Sequence, residues 1–224
     1  MEKYKYIKQI DLCVIGSELI AEDDLNKTIN VIQKFYLSFP ELTNYIHRIF
    51  FLKTKEFDKA TETSGNLGWT GFPYKNIFKR KVCIGNGPDI YFNADTFNEK
   101  SLSVLLKPIL KPTSYIEFLV WHELGHVLDY FYNFKKYKNS YINIDTYMEL
   151  NQHSPFSYEI FEDIAMEMGG LELPMIKSQI GDFRHDSMNR GEYFAESFAL
   201  FNMNLYTNLS KRVIKVMFQK LKGL

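Results

Sequence analysis

The sequence predicts an α+β fold, and three features point to it. Extended runs rich in branched and aromatic residues cluster in the first hundred positions. Helical periodicities dominate from about residue 114 onward. The length of 224 residues and the hydrophobic content of 46% suit one domain that can bury a full core. A strand-rich first half followed by a helical second half is the order of an α+β protein rather than of repeated βαβ units.

The first expected element is a strand over residues 4–16, where apolar residues recur near period two. Asp23 or Asp24 then caps a helix running to about Phe39, which Pro40 stops. A short buried strand follows at 48–53. Residues 64–76 change character: Gly65, Gly68 and Gly71 surround Trp69 in what reads as a loop. Strands are expected at 77–84 and 89–93, with Gly85-Asn86-Gly87-Pro88 as the turn. Pro88 at the mouth of the second strand suggests a sheet edge. Helices are expected at 115–131, 158–168, 189–204 and 209–222. The polar, tyrosine-rich stretch 133–157 reads as a long loop. Residues 1–224 thus form a single domain, with an N-terminal strand and helix portion (1–60) and a portion carrying the chemistry (64–224).

Lys plus Arg (27) balances Asp plus Glu (27), so no net charge draws the chain to nucleic acid or anionic lipid. The cluster Lys135, Lys136 and Lys138 reads as a solvated loop. No run of about 18 apolar residues is present, so no membrane span is expected. The stretch 10–20 is broken by Asp11, Gly16 and Glu18 and does not read as a signal-peptide core. Cys13 and Cys83, each between apolar neighbours, read as small core residues and define no disulfide framework.

The chemistry is concentrated in His122-Glu123-Leu124-Gly125-His126, an HExxH sequence inside a segment that is apolar nearly all round. On a helix, positions i and i+4 share one face, so two imidazoles at this spacing can hold one zinc ion. Glu123 then stands beside the metal as general base rather than on it. Ionisable groups are costly inside an apolar helix, and a metal site explains three within five positions. The plainer alternative is a pair of hydrogen-bonded core histidines and a surface glutamate. Catalytic zinc usually takes three protein ligands. Candidates for the third are His153, His185 and an acidic residue on a later helix, while His47, far upstream, reads as structural. Glu192 and Glu196 lie at i, i+4 on an aromatic helix. One carboxylate can ligate, and the other can accept the N–H of a ligating histidine; a solvated stripe is the alternative. Asp129 shares the face of His122 and His126, either as a further outer carboxylate or as a helix-end charge in water. Trp69 is a substrate platform or a hydrophobic plug, and the flanking glycines favour the platform.

HELGHVLDYF followed by EYFAESFALF resembles the lethal-factor-like metallopeptidases, which include the protease domain of anthrax lethal factor and the secreted Pro-Pro endopeptidases of clostridia. The resemblance covers about residues 65–205. It implies a zincin-like fold, with a small mixed sheet and an edge strand in the N-terminal part and a helical C-terminal part. It also implies a gluzincin site: one Zn2+ per chain on His122, His126 and Glu192, with Glu196 as the outer carboxylate and Glu123 as general base. Gly68-Trp69-Thr70-Gly71 matches the family's glycine-tryptophan segment near the substrate groove. The strand Ile90-Tyr91-Phe92-Asn93 falls where the family's edge strand pairs with extended substrate, so Gly68, Trp69 and Tyr91 are expected at the substrate. Two departures stand out. His126 and Glu192 are separated by 65 residues, which implies an insertion in 133–157 or 169–186. The family's oxyanion-stabilising tyrosine, two turns before the glutamate ligand, is replaced by His185, with Tyr158 as a substitute.

The expected activity is zinc-dependent hydrolysis of a peptide or protein substrate by a monomer. The resemblance implies secretion; the N-terminal residues, which carry no leader pattern, fit the cytoplasm. The first rival is an ImmA-like protease that cleaves a regulatory protein in the cytoplasm. Such proteases also carry HELGH, but the glycine-tryptophan segment and the EYFAESF helix favour the lethal-factor type. The second is a binding module that holds zinc without turnover.

Overall fold

The computed structural model describes residues 4–77, 80–83, 87–106, 110–137, 155–170 and 190–223. A five-stranded mixed sheet occupies the N-terminal part. Its strands are β1 (Tyr4–Ile7), β2 (Leu12–Ile15), β3 (Arg48–Leu52), β4 (Gly68–Gly71) and β7 (Asp89–Asn93). The order across the sheet is β1-β2-β3-β7-β4. β2, β3 and β7 are parallel, and antiparallel β1 and β4 form the two edges. β5 (Tyr74–Ile77) and β6 (Arg80–Cys83) pair as a separate two-stranded sheet.

Seven α-helices lie among the described residues: α1 (Glu22–Ser38), α2 (Thr54–Thr61), α3 (Glu99–Leu105), α4 (Tyr115–Tyr137), α5 (Pro155–Met168), α6 (Arg190–Asn202) and α7 (Asn208–Leu221). The α+β expectation therefore holds. None of these helices is long and apolar enough to cross a membrane.

The sheet's two faces differ. Ile49, Phe51, Ile90 and Phe92 point into the core, where Phe51 and Phe92 stack at 5.5 Å. Phe50 and Tyr91 stack at 4.6 Å on the opposite face. α4 runs through the molecule and packs against α1 and α6. Its Phe118, Leu124, Val127 and Leu128 are fully buried, as the all-round apolar pattern requires.

Several boundaries differ from expectation, each for a local reason. Residues 4–16 are a hairpin, not one strand. Asp11 adopts φ 49° and its carboxylate accepts from the Tyr6 hydroxyl. The apolar alternation runs on through the turn because Ile10 is itself buried. α1 begins earlier than an aspartate cap would place it. Its N-cap is Ala21, and Asp23 and Asp24 lie in the first turn, where acids favour the helix dipole.

The stretch 64–76 holds a strand, β4, rather than only a loop. Pro88 marks no edge: β7 lies between β3 and β4, and a proline just before the first strand residue costs no ladder bond. α4 continues six residues beyond the expected end at 131, and the stretch 133–157 is in part helix. Cys13 is half-buried rather than core.

Candidate metal centre

α4 sets His122 and His126 one turn apart, with ring centroids 5.0 Å apart and planes at 82°. α6 brings Glu192 to them from its first turn. His122 Nε2 lies 3.1 Å from Glu192 Oε2, and His126 Nε2 lies 3.4 Å from Glu192 Oε1. One ligand atom from each of the three residues falls within 4.8 Å of the others. A glycine on α4 makes this approach possible. At Gly125, a Cβ would stand 2.7 Å from the Ala195 Cα, so α4 and α6 meet backbone to backbone beside the ligands.

This donor set fits a metal ion. Two imidazole nitrogens and one carboxylate oxygen converge in a largely buried place, a donor set of the kind that metal ions take. The electrostatics of the metal-free site point the same way. Burial, the largest influence on His126, pushes its pKa down, but the charge and hydrogen bond of Glu192, helped by Glu123 and Asp129, lift it to about 9. Burial pushes the Glu192 carboxyl up, yet the charge of His126 and the two histidine contacts hold it well below the usual carboxylate range. The His126 and Glu192 side chains thus each favour the other's charged form.

Glu123 points from α4 towards β4. The Thr70 hydroxyl donates to its Oε2 at 2.7 Å, and Gly68 lies against its Oε1. Burial raises the Glu123 pKa, and the neighbouring histidines and Thr70 oppose that rise. Glu196, one turn after Glu192, is fully enclosed, with Oε2 3.8 Å from His122 Nδ1. Neither of its oxygens finds a hydrogen-bond partner among the described residues. Burial, then the charge of Glu192, pushes this carboxyl well above its usual range.

Other expected residues fall elsewhere. Asp129 is not a water-exposed helix end. It is fully buried and caps α5, accepting from the Ser157 backbone N–H at 3.0 Å and from the Ser157 hydroxyl at 3.1 Å. Its charge still contributes to holding the proton on His126.

Trp69 and Tyr91 are cross-strand partners and share one face of the sheet, with rings 5.5 Å apart. Side chains alternate along a strand, and Gly68 and Thr70 are the β4 residues that meet Glu123. The Trp69 ring therefore lies on the opposite face, folded over Gly71, and neither Trp69 nor Tyr91 points to the histidines. Gly68, by contrast, is at the site.

Tyr158 lies under the Arg190 guanidinium at 3.8 Å, in a clamp completed by an Arg190–Glu162 ion pair of 2.7 Å. His47 pairs with buried Asp89 at 3.0 Å, in keeping with a structural role. His153, His185 and the two candidate insertions, apart from the helical parts of 133–157 and 169–170, lie outside the described residues.

Thr70 and Tyr130 were not singled out from the sequence. The Tyr130 hydroxyl donates to the Thr70 carbonyl at 3.2 Å, and its ring lies 6.5 Å from that of His126. Tyr130 continues the i, i+4 ladder of His122 and His126, a signal present in the sequence. Thr70 carries none, because its role depends on a strand placed over the helix by long-range pairing.

Comparison with protein-family models, with curated proteins and with solved structures finds no match.

Proposed function

We propose that this protein is a zinc-dependent endopeptidase of the gluzincin type, related to the lethal-factor-like peptidases. One observation carries the reading: His122, His126 and Glu192 converge from two helices, with Glu123 between the histidines in sequence and turned to one side of them. His122, His126 and Glu192 would hold the ion, and an N2O donor set with an open position is the one catalytic zinc prefers. Bound there, zinc would supply a Lewis acid for the scissile carbonyl and lower the pKa of water.

The protein's own groups would do the rest. Glu123 takes the proton of the attacking water and delivers it to the leaving amine. Glu196, against the Nδ1 side of His122, restrains the orientation of that ring. The substrate would lie along β4 rather than along β7, the edge expected from the sequence, because β4 is the sheet edge beside Glu123. The Leu67 carbonyl accepts from the Asn93 N–H at 3.1 Å. Peptide groups alternate along an antiparallel pair, so those of residues 67, 69 and 71 turn to β7 and those of Gly68 and Thr70 turn outward. Extended peptide can add to such an edge.

The test is metal content together with cleavage of a diverse peptide library, for wild type and Glu123→Ala. One zinc per chain in both proteins, with cleavage by wild type alone, is the expected result. Zinc in both without cleavage would favour a binding module. Absence of zinc from both would remove the basis of the reading.

A further inference from the structure

β4 does more than border the site. It crosses α4 so that its alternate residues, Gly68 and Thr70, meet the Glu123 side chain from above. Thr70 Oγ1 donates to Glu123 Oε2 at 2.7 Å and lies 3.4 Å from the Glu123 carbonyl. Gly68 covers the other oxygen so closely that a Cβ there would stand 2.4 Å from Oε1. Both Thr70 and Glu123 are buried. A glutamate side chain has three torsions, and the last has a broad, weakly restrained minimum. Nothing in α4 alone fixes where its carboxylate sits. Thr70 itself is held on two sides: its backbone is in register with Ile90 of β7, and its carbonyl takes the Tyr130 hydroxyl.

We propose that Thr70 is a positioning residue for Glu123, its hydroxyl fixing Oε2 and so setting where the whole carboxylate lies beneath β4. This rests on the peptidase reading and names what would keep the base of that reaction in place. The bare Cα of Gly68 belongs to the same device, since any side chain there would displace the carboxylate that Thr70 holds.

The experiment uses the zinc-loaded full chain as wild type, Thr70→Val and Thr70→Ser, with a peptide that wild type cleaves. Valine keeps the shape and removes the donor; serine keeps the donor. Thr70→Val is expected to lower kcat by about 10- to 100-fold, the usual effect of a misplaced catalytic group. KM and zinc content should stay as in wild type, and Thr70→Ser should restore most of kcat. Unchanged kcat in Thr70→Val, or an equal loss in Thr70→Ser, would overturn the proposal.

Crystal structures of the zinc-loaded proteins give a second readout that needs no turnover. Glu123 Oε2 should remain within hydrogen-bond distance of the residue-70 hydroxyl in wild type and Thr70→Ser, and the carboxylate should leave that position in Thr70→Val. Should Thr70→Val not fold, wild type and Thr70→Ser still decide, because a Glu123 carboxylate found away from the hydroxyl in either defeats the idea. If wild type cleaves no peptide, the peptidase reading falls, while the crystallographic comparison still decides whether Thr70 sets the Glu123 carboxylate.

Discussion

Gly125 lies directly against the backbone of Ala195, close enough that a Cβ on Gly125 would stand 2.7 Å from the Ala195 Cα. The contact joins the helix carrying both histidines to the helix carrying Glu192. It sets the spacing on which the 3.1 Å and 3.4 Å histidine–carboxylate distances depend.

Gly125→Ala tests that dependence. Alanine in a helix interior gains up to about 1 kcal/mol over glycine. Forcing a methyl into a packed core costs about 1–3 kcal/mol, and here the obstructing atom is backbone, which cannot rotate away. The clash should win. Urea denaturation is expected to show a less stable protein, and competition with a chromophoric chelator a weaker zinc Kd. A variant more stable than wild type, with unchanged zinc affinity, would show that the helices are not in contact as described.

The ligand pair was legible in the sequence because its geometry is local: four residues along a helix place two imidazoles on one face whatever the rest of the chain does. Gly125 could be seen but not interpreted, since its partner Ala195 is 70 positions away. The edge of the sheet was misjudged for a related reason. Two of the four residues of β4 are glycines, so the segment has no apolar alternation to announce a strand. Which strand ends a sheet is decided by pairing between distant segments, not by the proline at one strand's mouth. α2 and α3 were missed because each buries so little: Phe57 and Thr61 in one, Leu102 in the other. The Asn98 cap of α3, accepting from Ser101 N–H at 2.9 Å, was readable.

Zinc binding should strengthen as pH rises. In the metal-free protein the His126 pKa stands at about 9, so the ring is protonated at neutrality and a metal must displace that proton. Each displaced proton makes apparent affinity rise by about tenfold per pH unit while the pH is below that pKa. Titrations between pH 6 and pH 8 should show this slope, with proton release visible in calorimetry across buffers of different ionisation enthalpy. The same shift bears on stability. A histidine pKa raised on folding stabilises fully below its unfolded value of 6.5, and the benefit is lost as pH rises through about 9. Metal-free protein should therefore weaken towards alkaline pH, and a pH-independent zinc affinity would contradict the site described.

Glu196→Gln separates stability from metal binding. The buried carboxyl has no hydrogen-bond partner among the described residues, and its pKa is pushed well above the ordinary range, by burial first. Folding must therefore either desolvate its charge or bind a proton, and this cost grows as pH rises above the unfolded carboxyl value. Glutamine removes the ionisation, so the stability of the metal-free variant should fall less than that of wild type as pH rises above the ordinary carboxyl range. Zinc affinity should fall by about 10- to 100-fold, as for other carboxylates that orient a ligating histidine. Chelator competition and denaturation on the same samples measure both. A rise in zinc affinity would mean that Glu196 does not support His122.

Asp129→Ala asks whether this aspartate serves the fold or the metal. Its carboxylate accepts two hydrogen bonds from Ser157 at the start of α5, and neighbouring Asn133 accepts the Phe156 N–H at 2.7 Å. Removing it leaves buried donors of α5 unsatisfied, which should cost about 2–3 kcal/mol of stability. Its reach to the metal ligands is through charge, as one of the groups that raise the His126 pKa. Losing that charge lowers the pKa and eases displacement of the proton, which offsets part of any loss in attraction for the ion. Zinc Kd at pH 7 should then move only a few-fold while the urea midpoint drops clearly. A fall of about 10- to 100-fold in zinc affinity without loss of stability would instead assign Asp129 to the support of a ligand histidine.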